Sequence, residues 1–332
     1  MDHSIALPFL IGLVVLALAF DFLNGLHDAA NAIATVVATR LLSPVMAVLF
    51  AAFGNFAAYW FVGLHVAETV GKGIIDKDAV TPAVVFGALV GAMFWNVVTW
   101  LKGIPSSSSH ALIGGLLGAG VAHGGFAVVE GGTTKTIVAI FLSPTLGFAI
   151  AMLLMLVTSW LFRGVSPRRS NGIFKGLHLV SSAAYSISHG GNDAQKTMGI
   201  IAVLLYSTGY MQGEFHVPEW VVISCYLAIA LGTMSGGWKI IKTMGSKLTK
   251  LNHHSGFCAS TAGSIIVFGA SALGIPVSTT HAITGSVVGT GAARRASAVR
   301  WSVASRVIVA WFITIPASAG VGALFYLITR LF

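Results

Sequence analysis

Long apolar runs recur from end to end of this chain, at 5–20, 45–64, 83–101, 136–162, 197–206, 220–234, 256–275 and 307–329. Several reach the ~20 residues that a helix needs to cross a bilayer. Lipid offers a bare backbone no hydrogen bonds, so helices and closed barrels are the only structures that span it. A barrel would show alternating segments of ~10 residues, and these runs are continuous instead. Charged residues make up only 9% of the chain, where a soluble domain carries roughly 25%. The sequence therefore predicts an all-α polytopic membrane protein with roughly 10–12 membrane segments. Asp2 and the lack of an early basic residue make the first 20 residues a membrane helix rather than a cleaved leader. Cys225 and Cys258 lie in apolar surroundings and read as packing residues.

Two polar interruptions are copies of each other. Residues 103–120 read G-I-P-S-S-S-S-H-A-L-I-G-G-L-L-G-A-G, and residues 274–291 read G-I-P-V-S-T-T-H-A-I-T-G-S-V-V-G-T-G, with nine of eighteen positions identical. A second pair, N-G-L-H-D-A-A-N at 24–31 and H-G-G-N-D-A-Q-K at 189–196, aligns Gly25, Asp28 and Ala29 with Gly190, Asp193 and Ala194. Each half thus has a polar-motif helix followed by a hairpin. Matched polar breaks in two halves of a membrane chain point to a transport site.

Charge orients the halves. The segments 163–175, 239–250 and 292–306 are basic and free of acids, which places them in the cytoplasm. The segments 66–80, 122–135 and 206–219 carry acids (Glu68, Asp76, Asp78, Glu130, Glu214, Glu219) and read as outside. The first copy is flanked by outside segments and the second by inside ones. Two re-entrant hairpins entering from opposite faces form an inverted-topology repeat. The expected units are a first repeat at 1–162, a basic cytoplasmic connector at 163–176 and a second repeat at 177–332, with both termini outside. The net charge of +9 is explained by this sidedness, so no nucleic-acid partner is expected.

The chain has ten acids, and three of them, Asp21, Asp28 and Asp193, fall in apolar spans. Intramembrane carboxylates are expensive and mark ion pathways. Asn24, Asp28 and Asn31 share one helical face with Thr35; His189, Asp193 and Lys196 form the matching face, with Asn192 and Gln195 beside it. A carboxylate among amides can carry H⁺ or offer oxygen ligands to Na⁺, so Asn24, Asp28 and Asp193 are the cation-coupling candidates. A bland alternative for Asp193 is a structural pair with Lys196. Asp21 has no counterpart in the second half. Gly25, Gly190 and Gly191 predict a local break in each motif helix.

In the hairpins, Pro105 and Pro276 interrupt the helix. Ser106, Ser107, Ser108 and Ser109 follow in one, and Ser278, Thr279 and Thr280 in the other. Such hydroxyls cap helices, and a helix N-terminus with spare donors also binds anions. Two of them meeting would surround one oxyanion. The substrate-binding candidates are Asn31, Ser107, Ser108, Ser109, Asn192, Gln195, Lys196, Ser278, Thr279 and Thr280. His27, His110 and His281 are candidates for proton transfer or hairpin support. Gly114–Gly118 and Gly285–Gly289 read as close-packing pairs.

Five segments taken together carry a family resemblance: F-D-F-L-N-G-L-H-D-A-A-N-A at 20–32, G-I-P-S-S-S-S-H at 103–110, S-H-G-G-N-D-A-Q-K at 188–196, G-T-M-S-G-G-W-K-I-I at 232–241 and P-V-S-T-T-H at 276–281. The chain resembles the inorganic phosphate transporter (PiT) family over nearly its whole length. The resemblance implies cation-coupled phosphate uptake, an inverted-repeat fold and a homodimer in the lipid bilayer. His27 stands where the family's first motif often has Asn, and Gln195-Lys196 replaces a small residue and Asn in the second. These departures resemble the bacterial, low-affinity, proton-coupled branch, in the bacterial inner membrane. That branch is associated with phosphate taken as a neutral metal–phosphate complex, so a divalent metal would travel as cargo; no cofactor and no fixed metal site are expected. Coupling by H⁺ is favoured over Na⁺ because the Lys196 ammonium could replace a sodium ion.

Three other function classes fit less well. A sulfate permease would have the same fold, but sulfate has no proton to donate to Asp28 or Asp193. An intramembrane serine hydrolase would need Ser and His to converge, and adjacent Ser109 and His110 diverge on a helix. A passive anion channel leaves carboxylates in an anion path unexplained. The expectation is a transporter, not an enzyme.

Overall fold

The computed structural model describes residues 6–76 and 79–331. Asp2, Lys77, Asp78 and the two chain ends, whose placement was expected outside, lie beyond the described residues. Twelve α-helices occupy most of what is described: α1 (Leu7–Ala38), α2 (Pro44–Phe61), α3 (His65–Gly73), α4 (Pro82–Lys102), α5 (Ser108–Gly124), α6 (Gly131–Leu161), α7 (Pro167–Ser207), α8 (Glu219–Ser235), α9 (Trp238–Lys242), α10 (His253–Ala272), α11 (Thr279–Arg294) and α12 (Trp301–Thr329). The first six and last six follow the same order. A long helix is followed by a medium one and a short one, then a hairpin (α4–α5 or α10–α11), then a long helix with an internal proline, Pro144 or Pro316.

Among the described residues, α1, α2, α4, α6, α10 and α12 are long and apolar enough to cross a membrane. A seventh candidate is α8 with the helix that follows it to Lys247, bent by 65°. Gly236 at the bend has φ 68°, a conformation that costs glycine nothing. The most apolar windows of α6 and α12 are only 22% and 28% buried. They face outward with Phe141, Leu153, Phe312 and Leu324, as a lipid-facing helix should. The core instead gathers on α1 and α7, which carry the two polar motifs.

The duplicated hairpins fold alike. Gly103 and Gly274 both take the left-handed conformation, φ 64° and 66°. The amides of Ile104 and Ile275 return to the carbonyls of Thr99 and Ala270 at 2.9 and 2.8 Å. Ser107 and Ser278 then cap α5 and α11, each accepting from the backbone N–H of the following His at 3.2 Å. The capping expectation therefore holds at atomic detail. The four glycines of the two GxxxG pairs meet neighbouring backbone: Gly114 and Gly118 lie against Ile315 and Ala319, Gly285 and Gly289 against Pro144 and Phe148.

One expectation is corrected. The motif helices are not broken at their glycines; α1 and α7 run through Gly25, Gly190 and Gly191 as continuous helix. Gly25 instead admits the backbone of Ile229, and Gly190 that of Asn55. Close helix approach, not backbone release, is what these glycines provide. The stretch 163–176, expected as a basic cytoplasmic connector, is helical from Pro167 onward. Only the turn at 162–166 links the halves, and Arg168, Arg169 and Lys175 stand on the first turns of α7. With 41 residues, α7 is about 60 Å long, twice the ~30 Å of a bilayer core.

Candidate substrate and ion site

On α1, the helical repeat puts Asp21, Asn24, Asp28, Asn31 and Thr35 on one buried face. On α7, His189, Asp193 and Lys196 do the same. The capped N-termini of α5 and α11 close over these faces. All the side chains that meet there are essentially inaccessible to solvent.

The two halves interlock. Asn31 of the first motif donates to Thr280 and Thr279 of the second hairpin at 2.9 and 3.3 Å. Lys196 of the second motif donates to Ser109 of the first hairpin and to the Val277 carbonyl at 2.8 Å. Asn31 and Lys196 are aligned positions, as are Thr280 and Ser109. Each motif helix therefore grips the hairpin of the other half. Thr279 donates to Asp193 Oδ2 at 3.0 Å, and Thr280 to Asp28 Oδ1 at 3.4 Å. The Thr279 backbone carbonyl is itself held by the Tyr185 hydroxyl at 2.9 Å.

Asp193 is the hub. Its Oδ1 lies 2.6 Å from Lys196 Nζ and its Oδ2 3.2 Å from His189 Nε2. Both the structural and the functional readings of this pair survive: Lys196 pairs with Asp193 and also reaches the hairpin. Asp28 Oδ1 lies 2.7 Å from His27 Nδ1, whose other nitrogen meets Thr99 at 3.0 Å. Asp28, His189 and Asp193 each offer a ligand atom within 4.8 Å of the others, a set able to hold a cation.

Donors remain for an anion. Ser106 and Ser108 have no hydrogen-bond partner among the described residues. The first N–H groups of α5 and α11 lack intrahelical acceptors. The hairpin tips touch through His110 and His281, whose rings meet edge-to-face at 4.5 Å, while His281 stacks on Trp311 at 3.8 Å. The first contact joins the two hairpins, and the second ties α11 to α12.

The comparisons decide the family. A family profile described as "Phosphate transporter family" matches residues 24–171 and 162–322. The chain belongs to the phosphate transporter family. It is 62% identical, over 98% of both chains, to a probable low-affinity inorganic phosphate transporter of Rhizobium meliloti (strain 1021). It is 43% identical to a protein of the same description from Bacillus subtilis (strain 168), over 100% of this chain and 99% of that one. A solved structure titled "The sodium-dependent phosphate transporter" superposes with a TM-score of 0.90 at 25% identity, covering 98% of this chain and 100% of its own. The family resemblance read from the motifs is thereby borne out, as is a multi-pass helical transporter rather than an enzyme.

Not every candidate reaches this cluster of carboxylates and hydroxyls. Gln195 points to α3, where its carbonyl accepts from the Val66 and Ala67 amides at 3.0 and 3.2 Å and its amide donates to the Gly63 carbonyl at 2.7 Å. Its hydrogen-bonding groups are occupied in anchoring that helix. Asn192 faces the second hairpin, donating to Ser271 at 2.9 Å with its carbonyl oxygen free. Asn24 lies beside Asp21, one turn from Asp28. Sequence reasoning underrated His189 and missed Asn55, whose Oδ1 accepts from His189 Nδ1 at 3.1 Å and whose amide N–H₂ donates to Thr233 at 2.8 Å. A lone Asn in the apolar run 45–64 was the available signal.

Proposed function

We propose that this chain takes up inorganic phosphate by symport with H⁺ across a bacterial inner membrane. Phosphate would lie between the α5 and α11 N-termini, with the Ser106 and Ser108 hydroxyls and the first backbone N–H groups of both helices as donors. The observation that carries the proton coupling is Lys196 Nζ, held among a carboxylate, a hydroxyl and a carbonyl oxygen. That oxygen set suits a hard cation, and a tethered ammonium there leaves no need for a sodium ion. The matched helix order, the shared hairpin geometry and the reciprocal grip of each motif on the other hairpin support reading 1–162 and 177–332 as inverted repeats. The basic start of α7 supports a cytoplasmic connection between them. A neutral metal–phosphate complex as cargo, and pairing of two copies in the bilayer, belong to the same reading.

A sodium-coupled alternative is favoured by one observation, the Asp28–His189–Asp193 ligand set, and by the superposable structure being that of a sodium-dependent phosphate transporter.

Phosphate is preferred to sulfate on a structural ground. The hydrogen bonds given to Asp28 fall on Oδ1, which leaves Oδ2 to accept the proton of HPO₄²⁻. Sulfate has none to give, and an unpaired acceptor facing it is costly. Counterflow of labelled phosphate in proteoliposomes is expected to persist in excess sulfate. Equal competition by sulfate would remove phosphate as the assigned substrate.

A further inference from the structure

Asp21 is fully buried on the same face of α1 as Asp28, two turns nearer the N-terminus. Neither of its carboxylate oxygens has a hydrogen-bond partner among the described residues. Of the other two acids in the apolar spans, Asp193 pairs with Lys196, and Asp28 Oδ1 lies 2.7 Å from His27 Nδ1. The groups that face Asp21 are Asn24 on its own helix, Thr197, Asp193 and Lys196 on α7, and Cys225 and Tyr226 on α8. Lys196 is the only cation among them, and it is already committed to Asp193, Ser109 and Val277.

The unsatisfied side-chain atoms beside Asp21 are one amide oxygen, Asn24 Oδ1, and two neutral hydroxyls, Thr197 Oγ1 and Tyr226 Oη. An ionised carboxylate without a counter-ion is very costly in such a place, and a neutral hydroxyl does not replace one. A neutral carboxyl resolves the problem, because its O–H can donate to Asn24 Oδ1 and satisfy two stranded groups at once. The second half has no such group. Ser186, the aligned residue, donates to the Ser182 carbonyl at 3.0 Å.

An open cleft lies toward the N-terminal end of α1. The buried face continues from Asp21 through Ala17 and Val14 to Leu10. Val14 and Leu10 line an open cleft with Leu205, Tyr210 and His216. Asp21 is the first ionisable group on α1 between that cleft and the carboxylate cluster.

We propose that Asp21 carries the coupling proton. A proton from water in the cleft forms an O–H bond on its carboxylate as the site opens to one side, and the same proton returns to water on the other side. No bond in phosphate changes. The inference rests on the proton-coupled reading above, and wild-type uptake driven by a pH gradient tests that reading separately.

The experiment uses the full-length protein in proteoliposomes, comparing wild type, Asp21→Asn and Asp21→Glu. Three readouts are taken: phosphate exchange without a gradient, accumulation driven by an inward H⁺ gradient, and the infrared band of a protonated carboxyl. Asp21→Asn is isosteric and cannot release a proton. It should exchange phosphate normally, lose accumulation and its pH dependence, and lack the carboxyl band that disappears from wild type at high pH. Asp21→Glu should recover accumulation. Wild-type accumulation and pH profile in Asp21→Asn would overturn the proposal. So would loss of exchange in both variants, which would make Asp21 a structural residue. If wild type itself ignores the pH gradient, the proton-coupled reading fails first.

Discussion

Asp193→Asn is expected to abolish uphill phosphate accumulation. Asp193 is the meeting point of both halves, touching Lys196 at 2.6 Å, Thr279 at 3.0 Å and His189 at 3.2 Å. The amide keeps the volume but removes the charge that balances a fully buried ammonium. Breaking a buried pair by removing one partner costs about 3–5 kcal/mol, so the melting temperature of the purified variant should fall. The double variant Asp193→Asn/Lys196→Gln removes both charges and should regain stability without regaining transport. That pattern separates a coupling role from a scaffolding one. Accumulation at the wild-type rate in Asp193→Asn would show that the pair is structural only.

Lys196→Asn is expected to change which ion drives uptake. The variant copies Asn31, the aligned residue of the first half. It withdraws the ammonium and leaves Asp193 Oδ1, Ser109 Oγ and the Val277 carbonyl as a vacated oxygen set. Charge-assisted hydrogen bonds contribute about 1.5–3 kcal/mol each, so losing even one should weaken proton-driven uptake by ~10-fold or more. Sodium should now stimulate transport, since a Na⁺ ion can replace the lost charge. Measurement of initial uptake rates against Na⁺ concentration checks this. A variant inert to sodium with unchanged proton-driven uptake would contradict the assignment of Lys196.

Much of this arrangement was legible in the sequence because its signals are local. The Pro-hydroxyl-His copies specify a turn and an N-cap within a few residues, and both form as expected. The face Asn24–Asp28–Asn31 follows from helical period alone. What the sequence concealed depends on which helix lies opposite. Gly25 and Gly190 could break a helix or admit a neighbour, and only the presence of Ile229 and Asn55 at those points decides for packing. Gln195 is adjacent to the active face in sequence, yet one residue is 100° of helix rotation, and that turns it toward α3. Asp21 has no copy in the second half, so repeat symmetry gave no reason to choose it. Its isolation became evident only once its surroundings were found to leave it without a counter-ion of its own.

Radiolabelled phosphate uptake into proteoliposomes of the purified protein tests the central claim most directly, with an inward H⁺ gradient and an inward Na⁺ gradient imposed separately. The account predicts uphill uptake with the H⁺ gradient alone and no requirement for sodium. Uptake that needs sodium and ignores the pH gradient would contradict it.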